Sequence, residues 1–328
     1  MTKQSLLSAL DQFQGKRVAV IGDVMLDIYH RGSVHRISPE APVPVVSIDR
    51  IEYHPGGAAN VAMNLVSLGA EAWILGLIGN DENGTILRSK LEDGGMNTSG
   101  LVETDGRPTT AKTRVIAGSQ HVVRTDLEHT NPVPPSIAER LLNFLSNHIA
   151  DFDAVIFEDY NKGLLQPDII TSAIEICRKH DVIVTVDPKF QHFFEYQNAT
   201  LVKPNLKEVE SILARPVQTE HEIQSAGLEL LEMLHCQYLL ITLGSRGMDL
   251  FSAMGEIEHL STEARMVADV SGAGDTVIAT LTLGLLAGIT PGEAATLGNI
   301  AAGRVCEEIG IVPIGIDVLR ESLRESMI

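Results

Sequence analysis

Apolar and polar positions follow two rhythms along this chain. From about residue 135 onward, short apolar runs alternate with segments of helical period. AERLLNFLSNHIA predicts a helix, DAVIFED a strand, PDIITSAIEICRKH a helix and VIVTVDPK a strand. LVKPN follows as a short strand, NLKEVESIL and GLELLEMLH as helices, and YLLITLGSRG as a strand. Strands alternating with helices predict parallel pairing through helical crossovers. The expected fold class is therefore α/β, a doubly wound, mostly parallel sheet with helices on both faces. The N-terminal part begins in the same way. KRVAVIGDVMLD (16–27) is a strand feeding a loop, GGAANVAMNLVSLGA (56–70) a glycine turn and a helix ending at Gly69, and EAWILGLIGND (71–81) a buried strand.

Two stretches break the rhythm. PVPVVSIDRIEYH (42–54) alternates and carries prolines, as an exposed or edge strand does. AKTRVIAGSQHVVRTD (111–126) has two strand-like halves around Gly118-Ser119, a hairpin signal. We expect segments near 31–54 and 108–126 to form a small β lid on one domain spanning residues 1–328. No linker, low-complexity tract or fixed-period repeat divides the chain. The loops GD (22–23), EDYNKG (158–163), DPK (187–189), KPN (203–205) and TLGSRG (242–247) all follow predicted strands. They belong on one rim of the sheet, where ligands of such folds bind.

Composition removes several function classes. The chain is 44% hydrophobic and 21% charged, with a net charge of −18, which argues against a nucleic-acid surface. MTKQSLLSALDQF has no apolar core of a signal peptide, and VIATLTLGLLAG is too short to span a bilayer. Cys177, Cys236 and Cys306 are far apart and form no CxxC pair, which fits reduced thiols in a cytoplasmic protein. No GxxxxGK[ST], early GxGxxG, GxSxG or HExxH motif occurs, and the eleven histidines show no metal-ligand spacing. An anionic substrate of so acidic a protein must meet local positive charge. Arg36, Lys112, Arg114, Arg124, Lys162 and Lys189 fall on the lid or rim, although each alone is equally well a solvated surface charge.

The candidate chemistry concentrates in DVSGAGDTVIAT (269–280). Gly272, Ala273 and Gly274 precede an apolar helix, so their N–H groups and the positive helix end favour an anion. Asp275 inside that cradle is either a general base or a first-turn acid that complements the helix dipole. PGGAANVA (55–62) offers Gly57 and Asn60 to a polyol or simply opens a helix. Asp23 and Asp27 in GDVMLD suit sugar hydroxyls or a turn. Asn205 and Glu208 form a helix cap with its third-position acid or organise Mg²⁺ through water. TLGSRG lets a nucleotide approach closely or is a plain turn.

Taken together, these motifs resemble those of the ribokinase-like (PfkB) carbohydrate kinases. GGAANVAMNLVSLGA with GLIGNDENG resembles the first family signature. DVSGAGDTVIATL resembles the second, with Ser271 in place of the more usual Thr; KPNLKE and TLGSRG match nucleotide-side elements. The resemblance implies that Asp275 is the base and Gly272, Ala273 and Gly274 the anion hole. It implies ATP as phosphoryl donor, with Asn205 and Glu208 near Mg²⁺ and the triphosphate. Thr242, Gly244 and Gly247 would then lie on the nucleotide side and Asn299 near the adenine. Asp23, Gly57 and Asn60 would meet the sugar, and Asp269 and Val270 a monovalent cation such as K⁺. Further segments, RISPEAPVPVV and EDYNKG among them, resemble members that phosphorylate O1 of a heptose 7-phosphate for lipopolysaccharide-core synthesis. No HxGH motif of a fused nucleotidyltransferase occurs, so the likeness is to the stand-alone kinase form. Arg36, Lys112, Arg114, Lys162 and Lys189 are the expected holders of the 7-phosphate, and a homodimer through the lid is expected. Another sugar as substrate, or a non-catalytic nucleotide-binding regulator, are the alternatives.

Overall fold

The computed structural model describes residues 2–262, 268–308 and 310–326. Nine strands form the main sheet. They are β1 (Arg17–Gly22), β4 (Glu71–Gly79), β5 (Asn97–Thr104), β8 (Ala154–Glu158), β9 (Ile183–Asp187), β10 (Leu201–Val202), β11 (Tyr238–Thr242), β12 (Met248–Ser252) and β13 (Ile257–Leu260). Their order is β13-β12-β11-β10-β9-β8-β1-β4-β5, parallel from β11 to β5 and antiparallel at the β11-β12-β13 edge. The sequence pattern assigns no element between TLGSRG and DVSGAGDTVIAT, so this antiparallel edge of β12 and β13 is a finding of the structure. Val18 and Val20 of β1 face one core and Ala19 and Ile21 the other, as the two-residue period of a strand requires.

Helices cover both faces. The first core is built with α1 (Lys3–Leu10), α2 (Ala58–Ser67), α3 (Glu82–Asp93), α8 (Ala273–Leu286), α9 (Pro291–Val305) and α10 (Ile316–Glu325). The second is built with α4 (Pro135–His148), α5 (Pro167–Lys179), α6 (Leu206–Leu213) and α7 (Glu220–Leu234). Helix α8 is apolar almost all round and buried from Asp275 to Gly284, because it lies between the sheet and its neighbours α2 and α9.

Four strands make a second sheet, the lid, in the order β3-β2-β6-β7: β2 (Val24–Ile37), β3 (Pro44–Gly57), β6 (Ala111–Ala117) and β7 (Gln120–Leu127). The β6-β7 hairpin turns at Gly118-Ser119, and β2 pairs β6 in parallel. The lid begins earlier than the sequence suggested. β2 starts one residue past Asp23, so Asp27 is a buried strand residue and not a loop carboxylate.

Strand order places the site. From β1 the chain moves outward to β4 and β5 on one side, then returns to β8 on the other. The reversal leaves a crevice beyond the carboxyl ends of β1 and β8, the position where open α/β sheets bind ligands. The loops after β1, β8, β9, β10 and β11 converge there.

Candidate active site

Asp275 lies in the first turn of α8, fully buried at this crevice. Asn60 Nδ2 donates to its Oδ2 at 2.5 Å, and Tyr160 Oη donates to its Oδ1 at 3.2 Å. Burial pushes the carboxyl up to about 6, with repulsion from Asp187 adding to it and the Asn60 hydrogen bond and Lys203 opposing. Gly272 caps the helix with φ +80°, and a Cβ there would lie 2.9 Å from Asn60 Nδ2, so both conformation and space require glycine. Among the described residues, the Gly272 and Gly274 amides have no hydrogen-bond acceptor, as expected of a helix N-terminus. Ala273 departs from the expected anion hole: its N–H turns back to the Val270 carbonyl at 3.3 Å.

Carboxylates crowd this crossing point. One oxygen each of Glu158, Asp187 and Asp275 lies within 4.8 Å of the other two. The buried Lys203 ammonium sits among them, 2.7 Å from Asp187. Burial disfavours that charge, but Asp187 and the neighbouring acids raise the Lys203 pKa above its ordinary value. Glu158 is pushed well above the carboxylate range by burial and by Asp187 and Asp275. Sequence reading missed this cluster because its members come from three strand ends and a helix.

On the side expected to meet a sugar, the turn into α2 brings Gly57 and Asn60 beside Asp23. Gly57 has φ +60°, and a Cβ would meet the Asp23 carbonyl at 2.3 Å. Asp23 Oδ2 accepts from the backbone N–H groups of Tyr160 at 2.9 Å and Lys162 at 3.0 Å. Burial and then Asp159 raise the Asp23 carboxyl to about 6. Asn60 Oδ1 is buried without a hydrogen-bond donor among the described residues, an acceptor that a hydroxyl would satisfy.

On the other side, Thr242, Gly244, Gly247, Val270, Gly274 and Asn299 line one cavity of about 430 Å³, with Met248, Val277, Ala302 and Cys306 as its apolar wall. Asn299 Nδ2 donates to the Ser261 carbonyl at 2.7 Å. Asn205 and Glu208 do make the capping box of α6: Asn205 Oδ1 accepts from Glu208 N at 3.0 Å, and Asn205 N donates to Glu208 Oε2 at 2.9 Å. The cap does not exclude a ligand role, since a carboxylate oxygen that accepts one hydrogen bond keeps a second lone pair; Glu208 Oε1 already accepts from Lys189 Nζ at 2.5 Å. The Asp269 carboxylate accepts from Ser271 N at 2.9 Å and Gly310 N at 3.2 Å, so it braces the loop; the Val270 side chain is exposed.

The basic residues sort differently from expectation. Arg114 is paired with Asp27 and lies over the Tyr29 ring. Lys162 pairs with Glu128 at 2.7 Å, Lys189 with Glu208 at 2.5 Å and Arg124 with Asp126 at 2.7 Å. Arg36 is exposed at the far end of β2, nine residues beyond Asp27 and thus ~30 Å along the strand. Its own chain does not bring it to the crevice. Lys112, half-buried on β6, forms no ion pair among the described residues. Sequence reading missed Arg107, whose Nη2 donates to the carbonyls of His129, Asn131 and Lys162 at 2.7–3.1 Å beside Asp23; a lone arginine before a proline carries no signal.

A carboxylate at an open helix N-terminus, between a polar crevice and an apolar cavity, is the arrangement of a phosphoryl-transfer site. Residues 16–314 match the profile described as pfkB family carbohydrate kinase. The chain belongs to that family. As a pfkB kinase it is an ATP-dependent phosphotransferase acting on carbohydrate. Bifunctional protein HldE of Trichlorobacter lovleyi is 40% identical over 310 residues, covering 94% of this chain and 63% of that protein. This pfkB kinase thus spans about three fifths of the length of such relatives. Arabidopsis thaliana ribokinase complexed with ribose and ATP superposes with TM-score 0.75 at 19% identity, covering 95% of this chain and all of that one. Escherichia coli phosphofructokinase-2 in complex with potassium gives TM-score 0.76 at 19% identity, covering 95% and 99%. At this identity the two superpositions show a shared fold.

Proposed function

We propose that this pfkB kinase transfers the γ-phosphoryl group of ATP to O1 of D-glycero-β-D-manno-heptose 7-phosphate, with Asp275 as the base. The observation that carries the reading is Asp275 itself: buried, hydrogen-bonded by Asn60 and Tyr160, and next to the open Gly272 and Gly274 amides. The 40% identity to HldE proteins, together with the RISPEAPVPVV and EDYNKG segments, supports the heptose.

The sugar enters from the side of Asp23, Gly57 and Asn60, where its hydroxyls find acceptors. Asp275 takes the O1 proton as O1 bonds to the γ-phosphorus and the bond from that phosphorus to the bridging oxygen of ADP breaks. A carboxyl near 6 is ionised at neutral pH yet basic enough to accept that proton. The Gly272 and Gly274 amides and Lys203 meet the charge that develops on the transferred group, so positioning and electrostatics supply most of the rate. The hard oxygen donors at Asn205 and Glu208 fit Mg²⁺ held through water, which would supply charge neutralisation of the triphosphate. Asp269 and Val270 belong to the loop where a monovalent ion would lie, and the potassium bound by E. coli phosphofructokinase-2 supports K⁺. The adenine would occupy the apolar cavity before Asn299.

The lid excludes water from the transfer. Its outer strands β3 and β7 have open edges, and Val34, Ile48, Ile51 and Val123 are exposed, which supports a homodimer formed lid to lid. No helix among the described residues is long and apolar enough to cross a membrane, and we place the enzyme in the cytoplasm.

A panel of sugars and sugar phosphates assayed by ADP release tests the reading. The expected preference is the heptose 7-phosphate with a 1,7-bisphosphate product. Turnover of ribose or fructose 6-phosphate at higher kcat/KM would replace the substrate, and ATP binding without turnover of any sugar would leave a regulator.

A further inference from the structure

One close neighbour of Asp275 has no part in the transfer described above beyond a hydrogen bond. Tyr160, in the loop after β8, donates its hydroxyl to Asp275 Oδ1, and its ring centroid lies 5.3 Å from both Lys112 Nζ and Lys189 Nζ. The two ammonium groups come from different parts of the fold, Lys112 from the lid strand β6 and Lys189 from the loop after β9. Lys189 has a carboxylate partner in Glu208, whereas Lys112 has none among the described residues. Its register neighbours Asp27 and Asp126 favour the charge only from beyond ion-pair distance, so the face of the phenol ring is the electron-rich surface in direct contact with this half-buried ammonium.

The tyrosine is also held from behind. Its N–H donates to Asp23 Oδ2 at 2.9 Å. The preceding residue, Asp159, is buried and accepts from Tyr196 Oη at 2.9 Å and Asn161 N at 2.7 Å. These contacts fix the loop independently of the reacting groups, so the ring does not depend on Asp275 for its place.

We propose that Tyr160 is a positioning residue that couples the lid to the base: its hydroxyl orients Asp275, and its ring holds Lys112 where an anionic substrate arrives. This rests on Asp275 acting as the base. The hydroxyl and the ring act on different parts of the reaction and separate in the kinetics. The hydroxyl bears on proton transfer and hence on kcat. The ring bears on the lid ammonium and hence on the KM of the phosphorylated sugar.

Tyr160→Phe keeps the ring and removes the donor. The expected result is a kcat about tenfold lower, a sugar-phosphate KM within about twofold of the parent, and an acid limb of kcat shifted to higher pH. The shift follows because the lost hydrogen bond is one of two that keep Asp275 ionised against burial. The other groups facing Asp275, Asn60 on α2, Glu158 and Asp187 at the ends of β8 and β9 and Lys203 after β10, are unchanged in that variant. Tyr160→Leu removes the ring too and is expected to raise the same KM a further tenfold or so. A Tyr160→Phe enzyme with parental kcat and an unmoved acid limb overturns the hydroxyl's role. A Tyr160→Leu enzyme with the KM of Tyr160→Phe overturns the ring's. If Tyr160→Leu does not fold, Lys112→Met reads the ring's part instead, and a sugar-phosphate KM equal to the parent's in that variant overturns it. Asp275→Asn assayed alongside separates the two claims, because activity that survives there removes the base and leaves nothing for Tyr160 to position.

Discussion

Replacing Asp275 with Asn should make this enzyme more stable and nearly inactive in one step. Burial raises the Asp275 carboxyl from its ordinary value to about 6, although Asn60 and Tyr160 both donate to it. A rise of about two units corresponds to about 3 kcal/mol of differential stability. The sign follows from where the proton is held more tightly. The folded protein binds it better than the unfolded chain, so ionising Asp275 costs stability. That cost is absent below about pH 4, grows as the pH rises to about 6 and is constant above. Asparagine has the same shape and no charge; its oxygen can accept from Asn60 and its NH₂ can face the Tyr160 oxygen. Urea unfolding at pH 8 should therefore give a gain of about 1–3 kcal/mol for Asp275→Asn, with the lower end reflecting weaker hydrogen bonds. At pH 5 the gain should shrink to about half, because the parent protein is by then largely protonated at this position. The loss in kcat, read by coupled ADP release, should be at least about 10². A variant less stable than the parent at pH 8, or a gap that does not change with pH, would refute the claim that the fold carries this carboxylate at a cost.

Four further outcomes follow from the same geometry. Lys112→Ala should raise the KM of the phosphorylated sugar by about 10- to 100-fold in steady-state kinetics, while the KM for ATP stays within about twofold. Gly272→Ala places a Cβ 2.9 Å from Asn60 Nδ2 at φ +80°, so kcat should fall at least tenfold or so and the melting temperature should drop, the conformation alone costing about 1–2 kcal/mol. Charging the lid surface with Ile51→Lys and Val123→Lys should turn the proposed dimer into monomer by light scattering, with the unfolding temperature measured to exclude a folding defect. Binding of the sugar phosphate alone at pH 7 should take up about half a proton, seen as a buffer-dependent enthalpy, because an anion raises the Asp23 and Asp275 carboxyls further from about 6; an enthalpy independent of buffer would contradict it.

What the sequence disclosed and what it hid divide by range. The glycine run before α8, the glycine turn before α2 and the loops after β8 to β11 were legible, since each is a local pattern of turn residues against an apolar run. The rim they share followed from strand alternation alone. The pairings were not legible. Asn60 and Asp275 lie 215 positions apart, Arg114 and Asp27 87 apart, and Tyr160 and Asp275 115 apart. No local pattern announces such contacts. The pairing of the basic residues was hidden for the same reason. In sequence they count as cations, but in the fold Arg114, Lys162 and Lys189 each face a carboxylate, and Arg36 stands at the wrong end of a long strand. The lid strand β2 was cut short because its first half, VMLDIYH, lacks the alternation of an exposed strand: that half is buried between the lid and the main sheet.

The crowd of buried carboxylates explains how so acidic a protein can handle anionic substrates. Asp23, Glu158, Asp159, Asp187 and Asp275 are all buried near one crevice, with Lys203 and Lys189 as the ammonium groups among them. Without ligand this is an unfavourable arrangement, and the raised carboxyls of Asp23, Glu158, Asp159 and Asp275 express it. Each phosphate that enters adds repulsion unless a cation comes with it or a proton is taken up. The site therefore favours substrates arriving with their own cations, and on the lid side it offers Lys112, which forms no ion pair among the described residues. Lys112 already stands over the Tyr160 ring, whose hydroxyl donates to Asp275, so the cation for an anionic sugar and the donor to the base meet at one side chain.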